Sequence, residues 1–299
     1  RIYDKALTAD QVNELYHERS SIYNFKEKTH LKLHLPLNHS LKDISGNGYN
    51  GSFFGGNPSY VENYKGDQNG ALSFDGVDDY IINTDFIDNV STFFGKTKYT
   101  ISLWIYSNEA VSSSIYRTAI SMGYETGHFQ WSHGHDANMP QAWAYNNGSW
   151  RTAKYTTTLI ANTWYHIVGV YDSNVGFKAY LNGVLEATNS SSGTLSNPSS
   201  SVDLNIGAAI GGATPNGSNA ASRHFDGQIS DVRIYDRALT NIEVERLYQS
   251  TLRVNEYSPG TKINTGNLGS TNTPISIGKS ISDKFHYRGY LQELKIFSC

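Results

Sequence analysis

The sequence predicts an all-β protein, a two-sheet antiparallel jelly-roll sandwich with short capping helices. Three observations carry that expectation. Short alternating segments follow one another along most of the chain, separated by Gly-, Asn- and Asp-rich turn chemistry. The composition fits such a fold, with 27 Gly, 21 Tyr, 12 Phe and 5 Trp in 299 residues and only 17% charged side chains. One phrase also recurs: Arg1-Ile-Tyr-Asp-Lys-Ala-Leu-Thr8 returns as Arg233-Ile-Tyr-Asp-Arg-Ala-Leu-Thr240, and Gly289–Phe297 is a weaker echo of Gly227–Tyr235. Internal repetition fixes the units in which a chain is read. Here it predicts a slice of a tandem array: 1–25 as the strand end and helix closing a preceding repeat, 26–250 as a complete domain, and 251–299 as a partial segment of another. A partial sandwich cannot bury its sheet face alone, so the last segment is expected to dock on the preceding unit or on a neighbouring chain.

Taken in order, Thr8-Ala-Asp-Gln11 is a capping box followed by Val12, Leu15 and Tyr16 at helical spacing. Thr240–Glu243 with Val244, Leu247 and Tyr248 repeats the design. Both helices are expected to close a sandwich by packing. Leu31, Leu33, Leu35 and Leu37 alternate on one strand face, and Asp43–Gly51 is turn-rich. Strands follow at Ala71–Ile82, Tyr99–Tyr106, Thr118–Tyr124, Phe129–His133, Ala142–Tyr145, Trp164–Tyr171, Phe177–Asn182, Val202–Ile206 and Gly227–Tyr235. Asn182-Gly183 is a hairpin-turn signal. Trp104 and Trp164 sit in strongly apolar strands and are expected in the core.

The bulk numbers narrow the function. Net charge is −3, which gives no electrostatic footprint for nucleic acid or anionic membrane. No stretch approaches the roughly 18 apolar residues of a membrane span. The single cysteine, Cys299, permits no intrachain disulfide. Sequons at Asn38, Asn50, Asn89, Asn147, Asn189 and Asn216 matter if the chain passes through a eukaryotic secretory pathway. Few charges and abundant Ser, Thr, Asn and Tyr favour an extracellular or cell-surface location.

Several motifs now occur in one order: Asp43-x-Ser-Gly-Asn-Gly48, Leu72-Ser-Phe-Asp-Gly-Val-Asp-Asp-Tyr-Ile81, Ile101-Ser-Leu-Trp-Ile105, Trp164–Asp172, Ala179-Tyr-Leu-Asn-Gly183 and Gly227–Tyr235. Together they resemble a laminin-G-like domain of the concanavalin A-like lectin/glucanase group over about 30–250. The resemblance implies a jelly roll found in carbohydrate-binding modules, adhesins and appendages of polysaccharide-degrading enzymes. It also implies that a calcium site is common. Hard oxygen ligands suit Ca²⁺, and the loop acids Asp43, Asp75, Asp78 and Asp79 supply them together with Asp231 on the closing strand; Asp43, Asp79 and Asp231 are the metal candidates, with pairing to Arg233 or Arg237 as the alternative role of Asp231. The same acids are ordinary turn formers through Asx hydrogen bonds.

Sugars stack their C–H faces on aromatic rings while polar groups fix the hydroxyls. The segment 116–151 concentrates both, so Tyr116, Arg117, His128, Trp131, His133, Trp143, Tyr145 and Trp150 are the ligand-binding candidates. Phe129, Trp131 and His133 share one strand face. His133-Gly-His135 lacks the further ligands that zinc needs. The strand-borne Glu-x-Asp-x-x-Glu of glucanases with this fold is absent, Glu243-Val-Glu245 lies on a helix, and no diagnostic lyase, hydrolase or phosphate-loop string stands out. The expectation is a non-catalytic module that binds an extracellular polysaccharide or glycoprotein glycan. A structural repeat that binds neighbouring copies is the alternative, and a polysaccharide lyase ranks third.

Overall fold

The computed structural model describes residues 30–88, 97–110, 117–122, 129–133, 140–146, 149–195, 203–209 and 223–252. The segments read as parts of other repeats therefore lie outside the described residues, apart from Thr251 and Leu252. The strands are β1 (Leu31–Leu35), β2 (Ser52–Phe54), β3 (Ser59–Val61), β4 (Ala71–Asp75), β5 (Tyr80–Asn83), β6 (Lys98–Ser107), β7 (Arg117–Met122) and β8 (Phe129–His133). They continue with β9 (Gln141–Asn146), β10 (Ser149–Lys154), β11 (Trp164–Asp172), β12 (Gly176–Leu181), β13 (Val184–Asn189), β14 (Leu204–Ile206) and β15 (Asp226–Tyr235). Helix α1 (Asp85–Asp88) is one turn, and helix α2 (Asn241–Leu252) follows β15.

The strands form two antiparallel sheets. An eight-stranded sheet runs β13-β12-β11-β6-β15-β4-β3, with β1 also paired to β15. A seven-stranded sheet runs β10-β9-β8-β7-β14-β5-β2. This is the expected jelly-roll sandwich. Inner-face residues of both sheets, among them Ile101, Leu103, Ile105, Ile120, Ile167, Phe177, Ile206 and Ile234, form one buried core.

Alternation explains most of this packing, and one bulge explains an exception. Leu33, Leu35 and Leu37 enter the core. The register of β1 against β15 shifts between Leu31 and Leu33, so Leu31 joins a second cluster instead. That cluster lies on the opposite face of the eight-stranded sheet, where Val168, Val170, Tyr180 and Tyr235 meet Leu239, Val244 and Leu247 beneath α2. The helix thus covers the outer face of one sheet rather than plugging the space between two.

Its start is the predicted capping box. Thr240 N–H donates to Glu243 Oε2 at 2.8 Å, and Glu243 N–H donates to Thr240 Oγ1 at 3.3 Å. Thr240→Ala is expected to lower stability by about 1 kcal/mol, read as a shift in the midpoint of urea unfolding at unchanged slope. The β12–β13 hairpin turns on Asn182 (φ 49°) and Gly183 (φ 81°), the two left-handed positions of a type I′ turn. A Cβ at Gly183 would also stand 3.1 Å from the Tyr248 ring, so the turn and α2 lock together.

The outer face also holds Trp104, which is buried as expected but outside the inter-sheet core. It stacks on Tyr64 at 4.0 Å and 5°, and its Nε1–H donates to Thr251 Oγ1 at 3.2 Å. Beside it His166 is fully buried, bonded through Nε2 to Ser102 Oγ at 2.8 Å, and burial pushes its pKa down to about 3. Trp164 departs from expectation: it is half-exposed on this face, against Tyr106 and Tyr64. Apolar neighbours in β11 could not reveal this, because that strand is covered on both faces over most of its length.

Candidate functional site

Strand parity sorts the aromatic segment into two faces. Trp131 pairs with Ile120 and Ala142, both core residues, and so points inward. It is 4% exposed, and its Nε1–H donates to Tyr155 Oη at 3.1 Å. Tyr155 in turn donates to Tyr180 O at 3.3 Å. The structure therefore corrects Trp131 from ligand contact to core residue. Trp143 lies between the core residues Ala142 and Ala144 and so has the opposite parity; it points outward and pairs with Thr152. Trp150 lies diagonally across from it, and the two rings meet edge to face at 6.1 Å and 87°. Both are half-exposed.

The floor beside these indoles is polar. Thr118, Ser121, Ser132 and Gln141 are buried on the outward side of β7, β8 and β9, and Asn205 of β14 adjoins Ser121. Each strand here alternates small or apolar residues inward with hydroxyls and amides outward. Ser132 Oγ accepts from Trp143 Nε1–H at 3.2 Å, which fixes that ring, and Ser121 Oγ donates to Ala208 O at 2.9 Å.

Arg117 is not available to a ligand in this arrangement. Its Nε and Nη2 grip Glu109 at 3.0 and 3.1 Å, and Nη1 donates to the carbonyls of Gly76 and His224 at 2.9 and 3.3 Å. The hydrogen bond to Glu109 raises its pKa further. It clamps the start of β7 to two loops, which corrects its reading as a binding residue. His133 and Tyr145 are placed by backbone only, opposite Arg117 and Trp150. Tyr116 and His128 lie outside the described residues.

The three metal candidates do not come together. Asp43 is 4% exposed and fully engaged: Oδ1 accepts from His34 N–H and Ser45 N–H, and Oδ2 from Ser45 Oγ–H and Tyr49 N–H, all within 3.0 Å. It organises the 43–50 loop. Asp231 sits at φ 52° in the bulge of β15, where that strand exchanges β4 for β1 as its partner. Its carboxylate is held by Arg233 at 2.9 and 3.0 Å, His34 at 2.7 Å and Tyr64 Oη at 3.3 Å. Burial would raise its pKa, but Arg233 and His34 hold it far below the usual carboxylate range. Both residues are corrected to internal structural roles.

Asp79 keeps the right chemistry in different company. Carboxylate oxygens of Asp75, Asp78 and Asp79 lie within 4.8 Å of one another. Asp75 Oδ1 accepts from the amides of Val77 and Asp78, and Asp79 Oδ2 accepts from Asp75 N–H. Asp79 is 5% exposed, and burial first, then the charges of Asp75 and Asp78, raise its pKa. A Cβ on Gly56 would come within 2.1 Å of Asp79 Oδ1 and 2.7 Å of Asp78 Oδ1, so only a glycine backbone lets these oxygens gather there. Hard, mutually repelling oxygens around a glycine cradle fit Ca²⁺.

A family model described as the concanavalin A-like lectin/glucanases superfamily matches residues 75–245. No curated protein sequence matches. Among solved structures, domain 4 of AbnA, a GH43 extracellular arabinanase from Geobacillus stearothermophilus in complex with arabinotriose, is similar at 22% identity and a TM-score of 0.55, over 74% of this chain and 98% of that one. The binding domain of botulinum neurotoxin DC in complex with SialylT gives 17% and 0.57, over 76% of this chain and 52% of that one. The binding domain of Paraclostridial Mosquitocidal Protein 1 gives 18% and 0.58, over 75% and 53%. This chain thus spans about half of each toxin binding domain. These likenesses establish a shared fold.

Proposed function

Since this chain belongs to the concanavalin A-like lectin/glucanase superfamily, we propose that its sandwich is a non-catalytic carbohydrate-binding module of an extracellular or cell-surface protein. The observation that carries the reading is the Trp143–Trp150 pair, half-exposed and set edge to face, with the Trp143 ring fixed by its bond to buried Ser132. One ring offers a stacking face and the other walls it. Two solved relatives of the fold hold arabinotriose and SialylT, which supports the same ligand class here.

Ca²⁺ serves as a structural ion at Asp75, Asp78 and Asp79, fixing the loop between β4 and β5. Saturating Ca²⁺ at about 100 times its Kd is expected to stabilise the fold by about 2.7 kcal/mol. Thermal unfolding in Ca²⁺ and in chelator measures this, and Asp79→Asn should erase the difference. Affinity should weaken as pH falls through the raised Asp79 pKa, because the protonated carboxyl no longer attracts the ion. Identical melting in both buffers would remove the ion from the reading.

Affinity electrophoresis through a panel of polysaccharides, arabinan included, tests the module itself. Retardation by one polymer, lost in Trp143→Ala and Trp150→Ala with unchanged melting, is the expected result. Absence of retardation by every polymer, together with concentration-dependent self-association, would transfer the function to a structural repeat that binds neighbouring copies.

A further inference from the structure

A second row of side chains crosses the other sheet. In the eight-stranded sheet, Trp164 pairs with Tyr106, Tyr106 with Gln228, Gln228 with Ser73, and Ser73 with Ser59. Directly opposed residues of an antiparallel ladder share a face, so these five stand in one line across five strands. At about 4.8 Å per strand the line is about 19 Å long. All five are half-exposed or exposed. This is the outer face, the one that carries Trp104 and His166 and that α2 covers further along.

Two properties distinguish this row from ordinary surface. Its aromatic end is held in place: Trp164 packs on Tyr106 at 5.6 Å and on Tyr64 at 6.1 Å, while Tyr64 is fixed by its stack on Trp104 and its hydroxyl bond to Asp231. Its polar groups are uncommitted: among the described residues, the Trp164 Nε1–H, the Tyr106 hydroxyl, the Gln228 amide and the Ser73 hydroxyl make no hydrogen bond. The row contains no charge, and the exposed large aliphatic residues, such as Ile160, Val184 and Ile242, lie elsewhere.

We propose that this row is a second glycan-binding surface, taking a short neutral oligosaccharide laid across the strands. Trp164 and Tyr106 stack on sugar faces at one end. Gln228 and Ser73 exchange hydrogen bonds with successive hydroxyls along the line. A neutral chain of repeating hydroxyls matches a row that sets ring surface at one end and uncharged donors and acceptors along the rest. The surface is separate from the Trp143–Trp150 pair and lies on the other sheet, so the module would bind glycan on both faces.

The test is an NMR titration of the full ¹⁵N-labelled chain with arabino-, xylo-, cello- and manno-hexaose. At least one hexaose is expected to shift the Trp164 indole resonance. Trp164→Ala and, separately, Gln228→Ala should weaken that binding at least tenfold while Trp143→Ala leaves it unchanged. Loss in Trp143→Ala alone would confine binding to the seven-stranded sheet and overturn this proposal while sparing the first. A silent Trp164 indole with all four hexaoses would also overturn it. So would a row whose shifts track protein concentration rather than sugar, which would assign it to contact between copies.

Discussion

Trp131→Ala is expected to destabilise the sandwich by about 3–5 kcal/mol, the usual cost of removing a buried tryptophan. The ring pairs with Ile120 and Ala142 in the core, and its loss would also strip Tyr155 Oη of the indole N–H it accepts. Tyr155 is wholly buried, and burial raises its pKa far above the ordinary phenol range, so its oxygen cannot ionise to recover solvation. Urea unfolding should show a lower midpoint at unchanged slope. Trp143→Ala supplies the contrast: a half-exposed ring on the opposite side of the same sheet, whose loss should leave the unfolding midpoint within about 1 kcal/mol and act on glycan retardation instead. If the two variants exchanged phenotypes, the assignment of faces would be wrong.

Asp231→Ala is expected to cost about 3–5 kcal/mol, because truncating one partner of a buried ion pair leaves the other uncompensated. Arg233, largely buried, would lose its two-point grip on this carboxylate, and His34 and Tyr64 would each lose a partner. The pH dependence gives the sign. The folded carboxyl is held below its ordinary value of 3.8 by Arg233 and His34, so its contribution is fully present above that value and is lost as pH falls. The stability gap between the parent and Asp231→Asn, measured by urea unfolding from pH 7 to pH 2, should therefore narrow in acid. A gap that stays constant would mean that packing rather than charge holds this corner.

The fold was legible because alternation, turn chemistry and caps are local signals. Leu33 and Leu35, the Asn182-Gly183 turn and the Thr240–Glu243 box are each where the pattern places them. The site was legible by residue type but not by face. Trp131 and Trp143 belong to the same aromatic segment in sequence, yet strand parity sends one inward and the other outward, and parity cannot be anchored until the partner strands are known. The acids show the same limit. Asp43 and Asp79 read as loop carboxylates and Asp231 as a strand carboxylate with Arg233 as an alternative partner; that pair forms, while tertiary contacts alone reveal that amides consume Asp43 and that Asp79 gathers with Asp75 and Asp78. Trp164 looked apolar by its neighbours; the edge of helix coverage that exposes it is set by a segment some eighty positions away.

The pairing of β1 with β15 joins residues near 33 to residues near 234. During synthesis, at about 5–20 residues per second, the apolar side of the first strand would wait about 10–40 seconds before its partner left the ribosome. Until then Leu33 and Leu35 have no sheet neighbour on that edge, since β15 is β1's only partner among the described residues. Nascent chains of this architecture are thus exposed to wrong pairings for most of their translation. Slow codons near the end of the domain would lengthen that interval, and a chaperone that shields the first strand would matter most before residue 226 emerges.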